Sequence, residues 1–113
     1  MPKPSHRTYS RYTESAMLLL GSLIREGRLE RKMTAQEVAD RAGISRSLLQ
    51  RIEKGDLKCE IGATFEVALI VGIPLFGMDD DTQLKFHLEQ TNAKLALMPK
   101  SIRKTNKQVK DDF

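Results

Sequence analysis

Apolar side chains recur at three- and four-residue intervals in five stretches of the chain, which predicts five helices. Between residues 15 and 32, Leu20, Leu23, Ile24 and Leu29 share one face, with Met17 a turn behind. Val38, Ala39 and Ala42 give a small apolar face to a second stretch, and Leu48, Leu49 and Ile52 give one to a third. Ile61, Phe65, Ala68 and Val71 mark a fourth helix over residues 61–72. Over residues 81–98, Leu84, Leu88, Thr91, Leu95 and Met98 form one stripe, and Phe86, Ala93 and Leu97 form a neighbouring one. An apolar set at such spacing usually packs a core. The fifth is wide for a helix on so small a domain, and this suggests a surface for a second subunit.

Turn and cap residues divide these stretches. Thr34 and Glu37 stand in the S/T-x-x-E order of a capping box, in which each side chain bonds the other residue's backbone N–H. Gly43 falls where a helix must stop and the chain reverse. Ser45 is placed to cap the next helix, and Gly55 ends it. Gly72 and Pro74 close the fourth helix. Gly27 lies inside the first helix, where glycine costs about 1 kcal/mol relative to alanine. Asp79, Asp80 and Asp81 resemble a metal cluster at first sight. Acidic residues at a helix start complement its dipole, and the further ligands of a cation loop are missing, so a helix start is the better reading.

At 113 residues the chain is long enough for one domain plus tails. The domain is expected over residues 15–98, with an N-terminal arm over 1–14 and a C-terminal tail over 99–113. The arm has two prolines and no apolar periodicity, and carries Lys3, Arg7 and Arg11. It reads as a flexible terminus, or as an arm that lies along a DNA backbone or minor groove. The tail is basic and polar, with Ile102, Val109 and Phe113 isolated in it. Net charge is +4, and it is unevenly spread: residues 15–59 and both tails are basic, while 60–98 are acidic. That partition suits a protein presenting one end to phosphates.

The same sequence narrows the chemistry. Cys59 is the single cysteine, so no intrachain disulfide can form. A redox role for it would need a basic cluster to lower its pKa, and a plain loop cysteine is the simpler reading. His6 and His87 lack metal-ligand spacing. A Gly-rich phosphate loop and a nucleophile–histidine pair are also missing, so no enzyme and no cofactor is expected. The longest apolar run, Val67 to Met78, is too short to span a bilayer and contains Pro74, which makes a cytoplasmic setting the expectation.

The segment TAQEVADRAGISRSLLQRIEKG, residues 34–55, resembles the helix-turn-helix of the Cro/phage-repressor family, also called the XRE type. It fits the pattern T-x-x-E-[LV]-A-x-x-[AV]-G-[IV]-S-x-x-x-[IL]-x-x-[IL]-E-[KR]-G. The likeness extends back through Leu20, Gly21, Ile24, Arg25 and Arg28, and forward through Ala68, Gly72 and Ile73. The resemblance implies an all-α, five-helix lambda-repressor-like DNA-binding domain with flexible basic tails. It implies a transcriptional repressor that binds a palindromic double-stranded operator as a homodimer, with half-sites about 34 Å apart.

Carried onto matching positions, the resemblance assigns base reading to Ser45, Arg46, Ser47 and Arg51, with Gln50 able to read adenine if it faces the groove. Arg46 and Arg51 have the fork that grips guanine. Phosphate contact falls to Thr34, Gln36 and Lys58. Many members carry a glutamine directly after the helix-two cap; here Ala35 takes that place and Gln36 follows. Arg28 matches a family arginine that pairs with the glutamate at Glu53, clamping the first helix to the third. Leu84, Leu88 and Leu95 are the expected dimer interface. The segments KCEIGATFEVALIVGIPLFGMD and LALMPKSIRK, with the ending VKDDF, further resemble HipB-like antitoxin regulators. That implies a HipA-like kinase toxin as a partner; a stand-alone repressor of the same type is the alternative.

Overall fold

Polar side chains cap four of the five helices among the described residues, and the fourth helix follows Glu60 without a side-chain cap. The structure is a computed structural model and describes residues 8–104. Its helices are α1 (Arg11–Glu30), α2 (Ala35–Ala42), α3 (Arg46–Glu53), α4 (Ile61–Ile70) and α5 (Asp81–Ala96), with no strand among the described residues. The all-α expectation therefore holds. Ser10 caps α1, its hydroxyl accepting from the Thr13 N–H at 3.2 Å. The helix thus takes in residues 11–14, which carry no apolar periodicity. Those residues put nothing into the core: Tyr12 is 84% exposed. A cap, and not an apolar face, sets the start of the helix.

The chain divides after Gly77 into two compact units. The first unit contains the core: Ile24 of α1, Val38 and Ala39 of α2, Leu49 and Ile52 of α3, Val67 and Ala68 of α4, and Val71, all fully or almost fully buried. α2 packs on both α3 and α4, and α1 packs on α3. Burying each large side chain is worth about 1.5–3 kcal/mol, so this shared core fixes α3 against α1 and α2.

Two apolar residues depart from the expected faces. Leu29 is 52% exposed. The buried seam of α1 is Gly21, Ile24 and Gly27, and at 100° per residue Leu29 lies about 140° round from Ile24. Counting apolar side chains overlooks the glycines, yet they make the contact. A Cβ on Gly21 would stand 2.6 Å from the Ile52 carbonyl oxygen and 2.7 Å from that of Glu53. The backbone of α1 therefore lies directly against the end of α3. Gly27 meets the Val71 carbonyl in the same way, so its cost as a helix residue is offset by close packing. Ile61 is 68% exposed, because it opens α4 one turn before the buried seam begins at Thr64.

In the second unit, Asp80 caps α5 by accepting from Gln83 N–H at 2.9 Å, and the Gln83 side chain accepts from Asp79 N–H at 3.0 Å. The acidic triplet is a helix start. α5 ends at Ala96, two residues short of the expected boundary, and none of its residues is buried.

Candidate nucleic-acid interface

The start of α2 is built by the capping box. Thr34 Oγ1 accepts from Glu37 N–H at 3.1 Å, and a Glu37 carboxylate oxygen accepts from Thr34 N–H at 2.7 Å. The first turn of a helix exposes up to four N–H groups, and this box consumes two of them. Among the described residues, no acceptor meets the N–H groups of Ala35 and Gln36. The donors available to an anion are therefore those two, and the Thr34 N–H is already occupied. The Gln36 side chain runs along the helix and donates to Asp40 Oδ1 at 2.8 Å.

Gly43 carries the reversal between α2 and α3 at φ 71°, the left-handed region in which a side chain is strained. Ser45 then caps α3, accepting from Leu48 N–H at 3.0 Å. Leu49 and Ile52 face the core, which turns Arg46, Ser47, Gln50 and Arg51 outward, all exposed. Among the described residues, no side-chain hydrogen bond or ion pair engages Arg46, Ser47 or Gln50. Gln50 borders a cleft of about 380 Å³ with Arg25, Arg28, Ala35, Glu53 and Lys54. Arg25 and Lys54, to which the sequence pattern gives no contact, both bring positive charge beside the start of α2. Arg25 lies one turn before Arg28 and Lys54 one turn after Gln50, and that spacing is the signal for them.

Arg28 Nε and Nη2 donate to the two carboxylate oxygens of Glu53 at 2.7 and 3.0 Å, and Nη1 donates to the Met33 carbonyl at 3.1 Å. The two side chains are only 11% and 8% exposed. The hydrogen bonds to Glu53 hold the guanidinium above its ordinary pKa, against the opposing effect of burial. The pair ties α1, α3 and the α1–α2 turn into one body.

Arg51 is engaged differently. Its Nε donates to Asp56 Oδ2 at 2.8 Å, while the side chain stays 47% exposed. The other oxygen of Asp56 accepts from the Lys58 N–H at 2.8 Å. The bond from Arg51, followed by that from Lys58, holds the Asp56 carboxyl below the usual carboxylate range. Lys58 itself projects into solvent on the loop between α3 and α4. Cys59 is half-buried beside Met17, Leu20 and Phe65 around an apolar groove. Burial, and then the neighbouring Asp56, push its thiol pKa up, the opposite of what a reactive cysteine needs.

Leu84, Leu88 and Leu95 all lie on α5. Leu84 is half-buried, and Leu88 and Leu95 are 58% and 56% exposed. Lys3 and Arg7 of the arm, His6, and Val109, Asp111, Asp112 and Phe113 of the tail lie outside the described residues.

Residues 24–59 match a family model described as helix-turn-helix. That span begins at the buried Ile24 and ends on the α3–α4 loop, so it covers the elements that build the exposed face of α3. No curated protein and no solved structure matches the chain. Among the described residues, no helix is long and apolar enough to cross a membrane.

Proposed function

We propose that the protein is a sequence-specific DNA-binding transcriptional regulator, a repressor that reads its operator with α3. One observation carries the reading: Arg46, Ser47 and Gln50 are exposed and uncommitted on a helix that the core and the Arg28–Glu53 pair hold rigid. A helix of this kind fits the major groove of B-DNA, where side chains reach base edges. The Ala35 and Gln36 N–H groups at the start of α2 and Lys58 on the following loop suit the flanking phosphates. Thr34 contributes by shaping that helix start, and Gln36 through its backbone. Arg25 and Lys54 add charge at the same edge. Selection from a random duplex pool, followed by titration of the selected operator across a salt series, tests this. Recovery of a palindromic site with a steep negative salt slope is expected; failure to enrich any sequence would contradict it.

Pairing of two copies through Leu84, Leu88 and Leu95 of α5 would give the dimer one α3 for each of two half-sites. The exposure of Leu88 and Leu95 supports this arrangement. A narrower form of the reading is a HipB-like antitoxin that binds a HipA-like kinase toxin and represses its own operon. It is supported by the likeness of the segments after Gly55 alone. Calorimetry against a HipA-like kinase encoded beside this gene tests it, and lack of binding would leave a stand-alone repressor.

A further inference from the structure

We infer that Asp56 is a positioning residue for base reading: it holds Arg51 by one edge of the guanidinium and leaves the terminal fork for a guanine. The inference rests on the reading of α3 as the recognition helix, and assigns a role to a residue outside that helix.

Lys54 closes α3 and Gly55 follows at φ 77°. The Asp56 N–H then donates to the Arg51 carbonyl at 3.1 Å, and the Gly55 N–H to that of Ile52 at 3.0 Å. This pair of bonds is the Schellman helix ending, which fixes where the second residue past the cap must lie. A Cβ on Gly55 would also stand 2.9 Å from the Leu18 Cα, so α1 holds the turn from behind. The same two residues are then joined a second time through their side chains, Arg51 Nε to Asp56 Oδ2. Asp56 has little freedom of its own, because its other oxygen is taken by the Lys58 N–H.

The choice of donor atom matters. Guanine presents two acceptors, O6 and N7, which the arginine fork grips together. In this structure Asp56 occupies Nε, and no other bond is made by the Arg51 side chain among the described residues. The end of the guanidinium remains open to a ligand. An exposed arginine free of any partner must lose several rotamers on binding, and an anchored one has lost them already. The Lys58 bond extends the device, since one carboxylate orders both the base-reading arginine and the loop carrying the phosphate-facing lysine.

The test compares Arg46→Ala, Arg51→Ala, Asp56→Ala, Asp56→Asn and the Arg51→Ala/Asp56→Ala double variant, all in the full chain. Each is titrated with a panel of operators bearing single base-pair changes. Asp56→Ala should flatten the preference at the position that Arg51→Ala flattens, by about tenfold. The double variant should lose little more than Arg51→Ala alone, and the preference set by Arg46 should remain. Asp56→Asn, with one acceptor oxygen for two donors, should fall between Asp56→Ala and the parent with its helical circular dichroism unchanged. Asp56→Ala and Asp56→Asn that tighten binding to every duplex while keeping all base preferences would overturn the inference, making the carboxylate an electrostatic brake. Loss at Arg46 with no effect of Arg51 or Asp56 on any position would overturn the inference alone. Unchanged preferences in both arginine variants would overturn the recognition-helix reading as well.

Discussion

Three arginines of the helix-turn-helix unit share one chemistry and differ only in what surrounds them. Arg28 has three bonds and almost no exposure, Arg51 has one bond and half its surface free, and Arg46 makes none among the described residues. Removing Arg28 leaves the largely enclosed Glu53 carboxylate without its partner, a loss expected to cost about 2–3 kcal/mol. Arg46→Ala removes only an exposed side chain and should stay within about 0.5 kcal/mol of the parent. Denaturant unfolding of the two variants checks this, and similar midpoints would show that the bridge does not clamp α1 to α3. The sequence pattern pointed to Arg28 and Glu53 because the resemblance pairs them. It did not reveal Asp56, because that contact depends on a helix ending that folds residue 56 back beneath residue 51, and no periodicity encodes it.

At the level of the elements, apolar spacing located all five helices, and the Thr34–Glu37 pair located the start of α2 to the residue. The misjudged features share a physical cause. Ser10 starts α1 with a hydroxyl, and the α1 seam is made by glycines that add no apolar side chain to count. A hydropathy pattern registers neither. The contact also makes a prediction. Gly21→Ala must push the α1 backbone off the end of α3, because the nearest atoms are backbone carbonyls and an N–H that cannot rotate away; the expected cost is about 1–3 kcal/mol. Gly62→Ala, on α4 with nothing within 4 Å of its new Cβ, should be neutral or stabilise by about 0.5–1 kcal/mol. Thermal unfolding of the pair measures the contrast, and equal midpoints would mean that α1 is free to shift.

Across the whole molecule, a small core fixes α2, α3 and α4, and the exposed surface of α3 is where the uncommitted polar side chains gather. In the unit after Gly77, α5 places Leu84, Leu88 and Leu95 within about 40° of one another around its axis, and none of its residues is buried. An apolar face of that kind on an exposed helix suits a second copy of the chain. The Leu88→Lys/Leu95→Lys double variant should therefore sediment as a monomer, since two charges would be buried in the seam; a native dimer would place the interface elsewhere.

The central claim is that α3 reads bases while the surrounding elements hold phosphates. It is tested most directly by measuring operator and scrambled-duplex affinities side by side for Arg46→Ala and Lys58→Ala over a salt series. Arg46→Ala should lose about tenfold or more of the preference for operator, and Lys58→Ala should weaken both duplexes alike and lower the salt slope by about one. Equal losses on operator and scrambled duplex in both variants would contradict the account.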